Sequence, residues 1–184
     1  MEFLTVLNLI FSLGTIATQV FLVATIAHFL FFKNNGLLPI KRFFAWISRR
    51  AILLAFLVAL VSTAASLFYS NVVGFAPCDL CWFQRIFMYP LVILFGVALI
   101  KKDSRVVMYT LPTAIVGGII SLYQNYIYYS NGGLNAICQF TGLGVSCTKR
   151  YVFEFGYVTI PVMALTAFAL IITLLLLSKR ANHD

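Results

Sequence analysis

Five long apolar runs decide what this chain can fold into. They extend from Thr5 to Phe32, Ala51 to Ser70, Ile86 to Ile100, Val106 to Tyr129 and Tyr157 to Leu177, and take up more than half of the 184 residues. About 20 apolar residues in a helix are ~30 Å long, the thickness of a bilayer's hydrocarbon core, and a helix satisfies its own backbone there without water. The third run reaches that length once it is counted from Trp82. The expected fold is therefore all-α, an integral membrane protein of five spans. Only 10% of the residues are charged, against roughly a quarter in an average soluble domain. The longest stretch outside the runs, Ser130 to Gly156, falls short of the roughly 50 residues that an independent domain needs. Any chemistry must sit in the membrane or in short loops at its surface.

The net charge of +8, from 13 Lys and Arg against 5 Asp and Glu, is sorted along the chain. Lys33, Lys41, Arg42, Arg49 and Arg50 lie between the first two runs, Lys101, Lys102 and Arg105 between the third and fourth, and Lys179 and Arg180 after the fifth. In a five-span path these segments share one face, which the positive-inside rule makes cytoplasmic. The N-terminus is then expected outside and the C-terminus in the cytoplasm. This distribution speaks for the lipid bilayer as partner and against nucleic acid. The first run is too long for a signal-peptide core and is preceded by Glu2 instead of a basic residue, so it reads as a retained span.

Organisation reduces to spans and loops. Residues 1–50 hold the first span and a cytoplasmic basic and aromatic segment; residues 51–184 hold the other four spans and two extracytoplasmic loops that carry cysteines. Asn34, Asn35, Gly36 and Pro39 break the chain after the first span. Ile40 to Arg50, which mixes Phe43, Phe44, Trp46 and Ile47 with basic residues, suits a short helix lying in the interface and bound to anionic lipid heads, or one that only fixes the entry angle of the second span, the reading preferred. Pro90 and Pro112 imply kinks inside the third and fourth spans. Tyr123, Tyr126, Tyr128 and Tyr129 read as an interface belt at the outer end of the fourth span.

The functional signal lies in the cysteines. Cys78, Cys81, Cys138 and Cys147 all fall outside the apolar runs. Two spans separate the first pair from the second, so both emerge on the same face, by the charge argument the extracytoplasmic one, where disulfides persist. Cys78-Asp-Leu-Cys81 is a CxxC, a spacing that suits reversible redox chemistry and also binds zinc. Cys81 sits at the mouth of the third span, where the positive end of the helix dipole favours a thiolate. Arg85 follows one turn deeper on the same face. A guanidinium at that depth marks a functional site, although long basic side chains near helix ends also snorkel to the head groups. It can stabilise the Cys81 thiolate and donate to an acceptor such as a quinone carbonyl. Trp82 and Phe83 offer flat apolar surface beside it, or serve as interface aromatics; Gln84 can donate a further hydrogen bond or pack between helices. Cys138 and Cys147 lie among Gly132, Gly133, Gly142 and Gly144 and precede Lys149 and Arg150. Such a loop can bring a disulfide to an external partner and to the CxxC, and a plain structural staple is the other reading.

The run Cys78-Asp-Leu-Cys-Trp-Phe-Gln-Arg85-Ile-Phe-Met-Tyr-Pro90 is followed by an apolar span, a basic turn, a span with Gly118 and Ser121-Leu-Tyr, the second cysteine pair and Phe155-Gly-Tyr-Val-Thr-Ile-Pro161. It closely resembles the disulfide bond formation protein B family, and in particular its compact BdbC-like branch. The likeness covers about Leu53 to Leu177. It implies a four-helix membrane bundle, here with one additional N-terminal transmembrane helix, in the prokaryotic cytoplasmic (inner) membrane. It implies a protein-disulfide:quinone oxidoreductase that reoxidises a DsbA-like thioredoxin-fold thiol oxidase and passes two electrons to ubiquinone or menaquinone. Carried over by position, Cys138 forms the mixed disulfide with the partner, Cys147 relays electrons to Cys78, Cys81 is the quinone-proximal thiolate, and Arg85 holds the quinone with Trp82 beside it.

Two features depart from the family pattern. The span from Thr5 to Phe32 is extra, and only Asn8, Gln19 and His28 in it hint at chemistry. Where many relatives carry a His after the Ser-Leu-Tyr-like stretch this chain has Gln124, so no proton relay is expected there. Three other readings compete. A vitamin K epoxide reductase-like enzyme would place its loop pair before the CxxC, not after it. A non-enzymatic membrane protein with a structural four-cysteine zinc site can be built from the same residues. A transporter or channel is disfavoured by the scarcity of intramembrane charge besides Arg85.

Overall fold

The computed structural model describes residues 2–31, 38–130 and 151–181. Cys138 and Cys147 lie outside the described residues, as does the side chain of His28. Five helices make up the fold: α1 (Glu2–Phe31), α2 (Leu38–Leu67), α3 (Asp79–Lys101), α4 (Val107–Tyr129) and α5 (Ile160–Ala181). A π-helical turn at Phe68–Val72 continues α2, and a 3₁₀ turn at Ser104–Val106 leads into α4. Each of the five carries a segment long and apolar enough to cross a membrane. The all-α, five-span expectation holds, and the chain is a multi-pass membrane protein. Among the described residues the only β-pairing is an isolated bridge between Glu154 and Val158.

Helices α2, α3, α4 and α5 pack in a closed ring, each against its two neighbours, and α1 lies outside the ring against α5. Hydrophobic burial cannot pull helices together in lipid, so close packing has to. Small residues provide it. Ala51, Ala55 and Ala59 recur every four residues on α2 and are fully buried, in one cluster with Phe168, Ile171 and Leu175 of α5. On α4, Gly117 lets the ring of Phe168 lie directly on the helix backbone, where a Cβ would collide with it.

Two sequence expectations change. Ile40 to Arg50 does not form a separate interfacial helix; it is the first part of α2, which runs unbroken from Leu38 to Leu67. No Gly or Pro follows Pro39 in that stretch, and Pro39 itself falls in the first turn, where its missing N–H costs nothing. Ile47 is buried, and the Ser48 hydroxyl donates to the Leu177 carbonyl at 2.6 Å, fastening this part of α2 to the end of α5. The tyrosine belt also loses a member. Tyr126 and Tyr129 are exposed, but Tyr128 points into the bundle and is buried, because two residues, about 200° of helical turn, put it on the opposite side of the helix from Tyr126.

The connection into α5 turns on Phe155 and Gly156, both with positive φ (52° and 79°). The left-handed conformation is one that glycine adopts freely. The turn brings the Tyr157 carbonyl to the Tyr129 hydroxyl, which donates to it at 2.7 Å, while Asn125 Nδ2 donates to the Pro161 carbonyl at 2.9 Å.

Gly117→Leu is expected to cost about 1–3 kcal/mol through overpacking against Phe168. Gly118→Ala, whose Cβ meets Ile172 at an ordinary 3.5 Å, should be neutral; thermal unfolding of the two purified variants in the same detergent checks the contrast.

Candidate thiol site at the N-terminus of the third helix

Cys78 is the residue that caps α3, in extended conformation, and its carbonyl accepts the Trp82 N–H at 3.1 Å. Asp79 opens the helix, so Cys81 falls in the first turn, among backbone N–H groups that have no carbonyl within the helix to bond. Cys78 and Leu80 pack with Ile127 of α4, with Cys81, Phe83, Ile120 and Tyr123 around them. Both sulfurs are free thiols in this structure. The Cys78 thiol is pushed up by its hydrogen bond to the Cys81 sulfur and by burial, making it the member of the pair that keeps its proton.

Gln124, at which no proton relay is expected, is central to the site in another way. Its Nε2 lies 3.3 Å from Cys78 Sγ and 3.3 Å from Cys81 Sγ, donating to both. Its Oε1 accepts from Gln84 Nε2. Both glutamines are buried, and the bridge ties α3 to α4 at the level of the thiols. The sequence signal was the pair of amides, Gln124 and Asn125, in a span whose other polar side chains are hydroxyls. An unpaired amide there would be costly, so its presence already implied a partner.

Arg85 turns toward α2. Its Nε donates to the Ser66 hydroxyl at 2.9 Å and its Nη2 to the Ser66 carbonyl at 3.0 Å. The guanidinium carbon lies 5.1 Å from the centre of the Trp82 ring, within the range of a cation–π contact. Nη1 has no hydrogen-bond partner among the described residues. A cavity of about 590 Å³ opens beside these groups, bordered by Cys78, Cys81, Gln84, Arg85 and Gln124. That volume lies within the ~300–1,000 Å³ of ordinary small-molecule sites. Trp82 is not part of the cavity wall; it is 45% exposed and braces the guanidinium from outside.

An aromatic stack lines the cavity. Phe75 lies between Tyr69 (ring centres 5.8 Å apart, nearly parallel) and Tyr151 (4.4 Å). The Tyr151 hydroxyl donates to the Ala76 carbonyl at 3.2 Å. The segment that follows Cys147 in the chain is thereby fastened to the loop that precedes Cys78. Of the sequence-based site residues, Cys78, Cys81 and Arg85 are brought together around one cavity, and Cys138 and Cys147 lie outside the described residues.

Comparison with known proteins shows the family of the chain. The family described as "Disulfide bond formation protein DsbB" matches residues 48–178. The chain is 43% identical over 130 residues to "Disulfide bond formation protein C" of Bacillus subtilis (strain 168), covering 71% of this chain and 93% of that protein. It is 40% identical over 130 residues to "Probable disulfide formation protein C 2" of Bacillus cereus, covering 71% and 91%. It is 42% identical over 135 residues to "Probable disulfide formation protein" of Oceanobacillus iheyensis, covering 70% and 88%. No solved structure gives a significant match. The matched region takes in the ring of α2 to α5 and leaves α1 outside it, and the chain belongs to the DsbB family of disulfide bond formation proteins.

Proposed function

We propose that the protein is a thiol:quinone oxidoreductase of the prokaryotic cytoplasmic membrane that reoxidises a DsbA-like thioredoxin-fold oxidase on the extracytoplasmic face. The observation that carries this reading is the meeting of a CxxC and an arginine at one cavity within membrane-spanning helices. A structural disulfide needs no cavity, and a soluble electron acceptor needs no opening at that depth. A lipid-soluble acceptor needs both.

The reaction balances as two linked exchanges. The partner's dithiol attacks the Cys138–Cys147 disulfide and leaves as a disulfide, and the reduced loop pair in turn attacks the Cys78–Cys81 disulfide. Each exchange passes two electrons, and thiolates act as both attacking and leaving groups. The resulting Cys78 and Cys81 dithiol returns to the disulfide by giving up two electrons and two protons. A bound quinone supplies the sink that takes both. Tyr151, held to Ala76, is four residues after Cys147; four residues of chain span at most about 14 Å, a tether that supports exchange between the two pairs. The ring of four helices, which begins with α2 at Leu38 and so takes in residues ahead of position 51, is the unit that carries out this transfer.

The residues at the cavity fit a quinone. Arg85 is the donor for a carbonyl oxygen, held in place by Ser66 and Trp82, with Nη1 unused among the described residues. Gln124 and the first-turn N–H groups of α3 stabilise negative charge as it develops on the Cys81 sulfur. Both sulfurs border the cavity, and Cys81, in the first turn of α3 and beside Gln124, is the one whose developing charge these groups meet.

Replacing Cys78 or Cys81 by Ser should abolish quinone-dependent oxidation of a dithiol partner in purified membranes, and undiminished turnover in either variant refutes the proposal. Bound zinc with four reduced cysteines in the purified protein refutes it equally. Arg85→Ala removes a charge-assisted hydrogen bond worth about 1.5–3 kcal/mol. It should raise the KM for quinone by roughly 10- to 100-fold, with little change in the KM for the dithiol partner; steady-state kinetics with each substrate varied in turn checks the split.

A further inference from the structure

The cavity does not end at the thiols. It continues between α1 and α2, over a floor formed by Met163, Ala164 and Ala167 of α5, as a slot whose two facing walls have the same spacing. Ile10, Phe11, Gly14, Thr15 and Thr18 line it from α1, and Leu57, Val58, Val61, Ser62 and Ala65 face them from α2. Each set follows the i, i+1, i+4, i+5, i+8 pattern of one helical face over two turns. The slot exists because α1 rests on α5 and not along α2.

Helix α1 is held at two points on either side of the slot. Near its start, Asn8 Oδ1 accepts from the Tyr69 hydroxyl, and Phe11 packs on the Tyr69 ring at 6.2 Å. Further along, Gln19 uses both ends of its amide: Nε2 donates to Thr166 Oγ1 at 3.1 Å and Oε1 accepts from the Tyr157 hydroxyl at 2.8 Å. Gly14 lies between these clasps, and a Cβ built on it meets nothing within 4 Å. The hydroxyls of Thr15 and Thr18 are satisfied inside α1, by the carbonyls of Phe11 and Gly14 at 2.8 Å each. The α1 wall therefore presents methyl groups and aromatic or aliphatic surface, with no hydroxyl hydrogen left to offer. At its other end the same cavity reaches Arg85 and Cys81. A site with charged and amide groups at one end and a mainly apolar lining along the rest, interrupted by hydroxyls such as those of Ser62 and Thr166, fits one amphipathic occupant, with a hydrogen-bonding head and a hydrocarbon tail.

We infer that α1 is the outer wall of a tail-binding slot, so that this helix, which lies outside the family-matched region, sets the preference of the enzyme for quinones with a long apolar tail. The inference rests on the quinone reading of the thiol site and adds a specificity element to it. The head group sits against Arg85 and Cys81, and the tail runs between α1 and α2 past Gly14 and Ser62.

The test compares two acceptors with the same benzoquinone head, one bearing a decyl tail and one without, in the full-length protein supplied with a reduced thioredoxin-fold dithiol. Wild type should prefer the tailed quinone. Gly14→Phe places a ring in the slot where the backbone has room, and Ser62→Leu narrows it independently from the α2 side. Each should cut kcat/KM for the tailed quinone about tenfold more than for the tail-less one, the effect of losing roughly two buried methylene groups. Two slot variants guard against misfolding of either. If both keep the wild-type ratio of the two acceptors, as they would were the slot filled by a phospholipid chain, the slot assignment is wrong while the quinone function stands. If wild type reduces neither quinone, the functional proposal fails and the slot assignment fails with it.

Discussion

A polar atom buried at bilayer depth must find its partner inside the protein, because lipid offers none. The organisation of this chain follows from that constraint. Several of the polar side chains in its spans meet it by joining helices in pairs. Gln84 and Gln124 join α3 to α4, Arg85 joins α3 to α2 through Ser66, Ser48 joins α2 to α5, and Gln19 joins α1 to α5. Most of the threonines escape the constraint by bonding to carbonyls of their own helix four residues back, as Thr15, Thr110 and Thr173 do. Small residues then let the helices approach, with Ala51, Ala55 and Ala59 against α5 and Gly117 under Phe168.

The thiol site is where this rule is met most tightly. The amide of Gln124 contacts both sulfurs and Gln84, so the geometry of the CxxC depends on the α3–α4 junction as well as on the start of α3. Arg85 is anchored by α2 and by Trp82 in the same way. The consequence is a cavity with fixed polar groups at one end, held by helices that pack for other reasons. In the proposed function this pre-organisation matters, because charge develops on Cys81 in a region where water cannot rearrange to meet it.

Much of this was legible in the sequence, and what was not has a physical reason. Five apolar runs became five helices, and Cys78 and Cys81 fell at the helix mouth because the run that begins near Trp82 has to start there. The position of Arg85 one turn from Cys81 followed from helical spacing alone. Its partner Ser66 did not, since nothing local sets the α2–α3 register. Gln124 was passed over because likeness to relatives directs attention to an imidazole, whereas an amide can also bridge two sulfurs. Asn8 and Gln19 stood out in α1 as its few polar groups, but their partners are 61, 138 and 147 residues away, distances that no periodicity reports. The merging of the basic segment into α2 was missed for the opposite reason: its composition suited an interface, and composition does not say where a helix stops.

The central claim is that electrons from a dithiol leave through the CxxC into a lipid-soluble acceptor. The most direct measurement is the amount of quinol formed per dithiol oxidised when the purified protein, reduced partner and excess quinone are mixed without oxygen. The account predicts catalytic turnover with one quinol for each partner disulfide. Partner oxidation limited to the disulfides already in the protein, with no quinol formed, would contradict it.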